Sequence, residues 1–191
     1  WRQCGIPGEV RFHTEPELAL GMVQELVTRN VLPFSWVAGD EVFGRDPAFL
    51  DGVAELGKWY MAEVPGNTRV WLRTPSVEPP GRGPLGRPRT RPRVARNAAS
   101  PIEMRDLAQR LSWHRLTIKE GSQGTMIAEF AFVRVTAIRE GLPGPRVWAM
   151  FRRSLGPQPE CKYYLSNAPP RSAPHELAHR SGMRWPIETA L

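Results

Sequence analysis

The order of patterns along the chain predicts an α/β fold, a sheet with flanking helices followed by a β-rich stretch. Three observations carry that reading. Residues 14–72 alternate helical and strand patterns, residues 73–97 hold almost nothing to bury, and residues 98–170 return as aromatic and branched runs punctuated by turns. A helix–strand–helix–strand order is the grammar of a sheet with parallel strands. The expected organisation is an α/β portion (1–72), a Pro/Arg-rich disordered linker (73–97), a β-rich stretch (98–170) and a helical end (171–191).

The first element is a helix from Thr14 to about Asn30. Thr14-Glu15-Pro16-Glu17 reads as a capping box, and Leu18, Met22 and Leu26 recur every four residues beside Val23 and Val27. Phe34 to Ala38 is a short apolar run that suits a buried strand. Asp46-Pro47 opens a second helix, with Asp46 as cap and Pro47 at the first helical position, and Gly57 ends it. Trp59 to Val64 is a second strand, and Thr68 to Leu72 is expected to continue it after a turn at Pro65-Gly66-Asn67. Beyond the linker, Ser100-Pro101-Ile102-Glu103 reads as another capped helix, reaching about Leu111. Residues 113–118, 126–138, 146–152 and 162–165 then read as an antiparallel meander, with turns at 121–124 and 141–144. Residues 174–181 return to helix, Gly182 interrupts it, and a new helix starts at Trp185-Pro186.

The net charge of +7 is concentrated in one place. Arg73, Arg82, Arg87, Arg89, Arg91, Arg93 and Arg96 face one acid, Glu78, so residues 73–96 hold nearly the whole excess. A solvated linker accounts for this segment; an arm that contacts nucleic-acid phosphates is the sharper alternative, carried above all by Arg87, Arg89, Arg91 and Arg93. No apolar run is long enough to cross a bilayer, and the start has no hydrophobic leader. Cys4 and Cys161 do not make a disulfide framework and fit two free thiols in a reducing cytoplasm. With Trp at its start and a helix barely begun at its end, the sequence is expected to be part of a longer protein.

Two carboxylates stand out. Asp40 follows the run Trp36-Val37-Ala38-Gly39, so it falls at the C-terminal end of a strand, the edge where α/β sheets bind ligands. Glu188 falls in Arg184-Trp185-Pro186-Ile187-Glu188, at the start of a helix. A strand-end acid and a helix-borne acid that meet in space are the raw material of a two-metal phosphoryl-transfer site. From spacing alone, an ordinary turn acid is the better reading of Asp40. Glu41 and Asp46 are weaker candidates, and Asp46 has a sufficient task as a cap.

Several ordered motifs resemble the DDE transposases of bacterial insertion sequences. Val37-Ala38-Gly39-Asp40-Glu41-Val42-Phe43-Gly44-Arg45-Asp46 looks like the family's second-aspartate region. Arg184 through Glu188 looks like its catalytic helix, where an Arg precedes the third acid by four positions. Val10-Arg11-Phe12-His13-Thr14 with the Glu17-Leu18-Ala19-Leu20 helix, Tyr60-Met61-Ala62-Glu63-Val64-Pro65, and Tyr163-Tyr164-Leu165-Ser166-Asn167-Ala168 resemble it too. The resemblance implies a partial ribonuclease-H-like sheet with its central strand missing, interrupted by residues 98–170 as a β-rich insertion, with residues 171–191 leading into a truncated catalytic helix. Asp40 and Glu188 would be catalytic acids and metal ligands for Mg²⁺ or Mn²⁺, Arg184 would contact phosphate, and the DNA partner would be the transposon ends at the nucleoid. Whether two copies pair as a homodimer stays open. The family's first acid lies on a central strand upstream of residue 1, and its downstream Lys is absent as well. The polypeptide as given is therefore expected to be catalytically inert, and a sheet without that strand is expected to expose an unpaired, aggregation-prone edge.

Two other readings compete. His175-Glu176-Leu177-Ala178-His179 matches the HExxH zinc-protease helix, which puts both imidazoles on one face with Glu176 as general base. Gly182 continues the pattern, but Trp185 occupies the third ligand position and cannot bind zinc; the plain reading is two solvent-side histidines. The third reading is a non-enzymatic DNA-binding remnant working through the Arg-rich arm. Trp113, Trp148, Tyr163 and Tyr164 could stack on bases, although at strand spacing core packing is the better expectation.

Overall fold

The computed structural model describes residues 11–81, 89–121 and 124–182. In chain order the elements are α1 (Glu15–Arg29), β1 (Trp36–Gly39), α2 (Glu41–Gly44), α3 (Pro47–Glu55), β2 (Trp59–Val64), β3 (Arg69–Trp71), β4 (Val77–Glu78), β5 (Arg93–Val94), β6 (Ile102–Glu103), α4 (Met104–Ala108), β7 (His114–Gly121), β8 (Gly124–Arg139), β9 (Leu142–Arg153), β10 (Cys161–Ser166) and α5 (Pro174–Ser181). Eight of these strands form one mixed sheet in the order β1-β2-β10-β9-β8-β3-β6, with β7 also pairing β8. It is the mixed α/β architecture expected of a ribonuclease-H-like fold.

β1 runs parallel to β2, with Trp36 opposite Trp59 and Gly39 opposite Ala62. Every other pairing in this sheet is antiparallel. The β-rich stretch continues the same sheet, because β10 pairs directly with β2. A side-chain amide extends that seam. Asn167 accepts the Tyr60 N–H at 2.7 Å and donates to the Lys58 carbonyl at 2.9 Å, as a strand residue would. Beside it the Ser166 hydroxyl donates to the Tyr60 carbonyl at 2.6 Å and accepts from Ala168 N–H.

The expected continuation of β2 into residues 68–72 is corrected. β3 leaves β2 and pairs with β8 and β6. On a flat sheet, four strand spacings and an offset of six residues along β8 would put Val70 roughly 28 Å from Val64. Six residues of chain span about 20 Å at most. The sheet must therefore coil, bringing the far end of β8 back over the end of β2. The bidentate Asp51–Arg139 pair, at 2.7 Å on both sides, ties α3 to that far end.

Side chains alternate across the sheet, as the pleat requires. Tyr60, Ala62, Val64, Val135, Val147, Ala149, Phe151 and Leu165 face α3 and α4, which add Phe49, Leu50, Val53, Met104 and Leu107. Met61, Phe130, Met150 and Tyr164 face the other way, under Leu177 and Ala178 of α5. Of the four aromatics considered for base stacking, Trp113 and Tyr163 pack against the first core, and Trp148 and Tyr164 belong to the second.

Local signals set the helix ends. Thr14 accepts from Glu17 N–H while the Glu17 carboxylate accepts from Thr14 N–H at 2.7 Å, completing the expected capping box. Asn30 closes α1 in the left-handed region at φ 50°. The buried stripe of α1 differs from the one expected. Pro16 is buried and Leu20 packs on Gly52 of α3, whereas Leu18 and Met22 face outward. The helix expected from Ser100 starts later. Ile102 and Glu103 pair with β3 first, Glu103 spends its carboxylate on Arg105 and Arg69, and α4 has no side-chain cap.

Within the stretch expected to be a disordered linker, Val77–Glu78 pairs with Arg93–Val94. Glu78, the lone acid there, accepts from Arg89 at 3.1 Å and from Arg93 at 2.9 Å. One carboxylate between two guanidiniums closes a hairpin that composition alone hides among prolines.

Candidate active site

β1 carries the chain to the rim of the sheet and stops at Gly39, which is buried beneath Phe43. Asp40 follows in extended backbone and caps the single turn of α2, its Oδ1 accepting from Val42 N–H at 2.9 Å. α2 is pinned on the sheet by Gly44. A Cβ there would lie 1.9 Å from the Glu63 carbonyl oxygen on β2, so glycine is required by the contact rather than by its dihedral angles. This fixes Asp40 at the C-terminal end of a parallel strand, the position the sequence anticipated.

The neighbouring acids are already engaged. Glu41 pairs with Arg45 at 2.8 Å, and Asp46 caps α3 through Phe49 N–H at 2.9 Å. Asp40 is half-buried, and its Oδ2 has no hydrogen bond or ion pair within the described protein. That oxygen is a hard donor of the kind Mg²⁺ or Mn²⁺ takes. Among the described residues no three His, Cys, Asp or Glu side chains converge as a metal-ligand group. Asp40 thus fits as one ligand, and the described residues do not complete a set of three around it.

Glu188 and Arg184 lie outside the described residues, as does Arg87. The helix that leads towards Glu188 is described up to its end. α5 starts at Pro174, and Gly182 closes it against Ile118. Arg180 stacks over the ring of Trp36 at 5.5 Å, beside the start of β1. Trp36 in turn meets Trp59 edge-on, with ring centroids 5.4 Å apart.

The basic residues separate into two kinds. Arg89 and Arg93 are bound to Glu78, which holds its carboxyl below the usual range through the Arg93 and Arg89 hydrogen bonds. Arg91 is exposed and lines, with Arg93, Glu140 and Leu142, an open cleft of about 650 Å³ between the small hairpin and the β8–β9 turn.

The HExxH helix forms, and both histidines lie on its exposed side. His179 Nδ1 is bonded to the Ile118 carbonyl at 3.0 Å, and the Glu176 carboxylate accepts the Ala173 N–H at the helix start. Glu176 and His179 thus each have a local structural partner, and Leu177 and Ala178 belong to the second core. The role of Asp40 as a cap for α2 had no signal in the sequence, because a helix of four residues is too short to show a period.

No curated protein sequence matches the chain significantly. The family model of the DDE superfamily endonucleases matches residues 1–125, which takes in β1, Asp40, α2, α3 and β2. No helix among the described residues is long and apolar enough to cross a membrane. With the match covering well over half its length, and with a strand-end aspartate on a mixed sheet inside the matched part, the chain belongs to the DDE superfamily endonucleases.

Proposed function

We propose that this chain contributes to a divalent-metal site that cuts and joins DNA strands during transposition of an insertion sequence, with Asp40 and Glu188 as two of its carboxylates. The observation that carries the reading is the packing of α5 beside β1, through Arg180 and Trp36. From Trp36 to Asp40 is about 13 Å along a strand. The residues after Arg180 reach Glu188 over about 12 Å if helical and up to roughly 28 Å if extended. The length of chain after Arg180 is thus sufficient to span the strand from its start to Asp40, as the reading requires.

Mg²⁺ or Mn²⁺ bound there would activate water or a DNA 3′-hydroxyl and stabilise the leaving oxygen. The chain's own contribution is to hold the Asp40 carboxylate in one orientation, through the α2 cap, and to leave its second oxygen open. Arg184 and the small basic hairpin would meet phosphates of the transposon ends, in the cytoplasm at the nucleoid. Asp40 and Glu188 are two of the three acids that the family resemblance calls for, and two acids alone are expected to hold metal weakly and to leave DNA uncut.

Mn²⁺ titration followed by electron paramagnetic resonance tests the site. The expected result is a weak site in the wild type that disappears in Asp40→Asn and in Glu188→Gln; unchanged binding in both variants overturns the assignment. Mg²⁺-dependent nicking of supercoiled plasmid, lost in Asp40→Ala, would overturn the inertness while keeping the acids.

A further inference from the structure

Two arginines on the second face of the sheet, Arg134 and Arg146, have no carboxylate partner among the described residues. Arg134 on β8 lies opposite Trp148 of β9, and Arg146 on β9 lies opposite Thr136 of β8, so the two are diagonal neighbours on one face. Arg134 donates to the carbonyls of Arg146 at 2.6 Å and Ala168 at 3.3 Å. Arg146 donates to the carbonyls of Arg134 at 3.2 Å and Leu72 at 3.1 Å. None of these acceptors is a carboxylate. By contrast Arg115 and Arg153 share Glu129, and Arg139 has Asp51. The carboxylates that the register puts on this face, Glu63 and Glu103, are bonded to Lys162 and to Arg69 and Arg105.

Two like charges, one of them partly out of water, are an unbalanced arrangement. Burial, followed by the nearby Arg146, pushes the Arg134 guanidinium below its usual range. A guanidinium has five N–H donors and each of these uses two, so more than half of their capacity is left over. A third donor in the same cross-strand row is unsatisfied. Trp71 lies opposite Thr136, and its buried indole N–H has no acceptor. The backbone acceptors also bring more positive charge alongside. Leu72 is followed by exposed Arg73, and Pro169, which accepts from Trp148 at 3.0 Å, precedes exposed Arg171 by two residues. The result is a basic track rather than a single cationic point.

We infer that the Arg134–Arg146 face is a second nucleic-acid contact that takes the phosphodiester backbone of DNA, separate from Asp40 and from the small basic hairpin. A phosphate between the two guanidiniums supplies the missing negative charge, and the extended track suits a polyanion better than a free phosphate. This rests on DNA being the substrate, and it names a surface on which that substrate lies. Such contacts hold the backbone and read no bases.

The test is binding of the full chain to a random-sequence duplex in EDTA over a range of salt. Arg134→Gln/Arg146→Gln should lower the slope of log K against log salt by about 1.8, and Arg146→Gln alone by about 0.9, equally on unrelated sequences. Arg146→Lys should restore most of the slope although it loses the bond to Leu72, which separates charge from structure. The exposed Arg146 variants keep the test open if the double variant fails to fold. Wild-type slopes in all variants would overturn this surface alone. A wild type that binds no DNA would overturn it together with the reading beneath it. Arginine-dependent quenching of Trp148 by inorganic phosphate, with no preference for duplex, would assign the site to a free anion and overturn the nucleic-acid contact.

Discussion

In β9 the side chains of Val147, Ala149, Met150 and Phe151 are fully buried, whereas in β1 Gly39 alone is buried. β9 sits in the middle of the sheet between β8 and β10, and β1 sits at its edge with β2 on one side. The strand that carries Asp40 is thus among the least enclosed parts of the sheet, and the hairpin 100 residues later holds the cores together. Leu18, Met22, Val31 and Leu32, which precede β1 in the chain, are exposed and add little to either core. Stability and the proposed chemistry are placed apart, so substitutions near Asp40 can change one with little loss of the other.

The contrast is sharpest at Phe151, which packs edge-on against Tyr163 at 6.0 Å. Phe151→Ala should cost about 3–5 kcal/mol, read as a lower midpoint in urea; a change under about 1 kcal/mol would show that β9 is not the structural centre. Gly44→Ala breaks the separation from the other side. Its methyl group meets the Glu63 carbonyl, so α2 must lift from β2 at a cost of about 2 kcal/mol or more. Crystallography of the variant should show Asp40 displaced.

Tyr60 links the two regions, lying in the first core opposite Val37 of β1. Burial pushes its phenol up to about 12 from an ordinary value of 10.0, so the neutral form is favoured in the fold. The stability this gives is complete below pH 10 and is lost as the pH rises towards 12, at most on the order of 3 kcal/mol. Tyr60→Phe should therefore lose less stability than the wild type between those pH values in thermal melts. At Asp40 the effect should be smaller. Asp40→Ala removes the cap and should cost about 1 kcal/mol, whereas Asn caps as well as Asp, so Asp40→Asn should leave the melt nearly unchanged. The smallest change is expected at Met22, where Met22→Gln should stay within about 0.5 kcal/mol.

What could be read in advance was local. The Thr14–Glu17 box and the Asp46-Pro47 start are complete within four residues, so composition and spacing specify them. The meander of β7 to β10 was visible in its branched and aromatic runs and its turns. The partners of β2 and β3 were not, because Tyr163 meets Val64 and Val70 meets Ala137 across long stretches of chain whose pattern does not name a neighbour. Ser100-Pro101-Ile102-Glu103 has the letters of a capping box, but Arg69 and Arg105 compete for Glu103. For the site, the strand end and Asp40 were legible; the fixing of α2 by Gly44 depends on a carbonyl 19 positions away. The arginines at 134 and 146 look like solvated strand residues until their carbonyl partners are known.

The amide of Asn167 has a consequence for how the molecule ages. It stands in for a peptide group, and only a group with one donor and one acceptor can do so. Hydrolysis to aspartate would exchange the donor for a negative oxygen facing the Lys58 carbonyl. A single chemical lesion of old protein would then start to unzip the join between the amino-terminal and carboxyl-terminal halves, and Asn167→Asp is its permanent imitation.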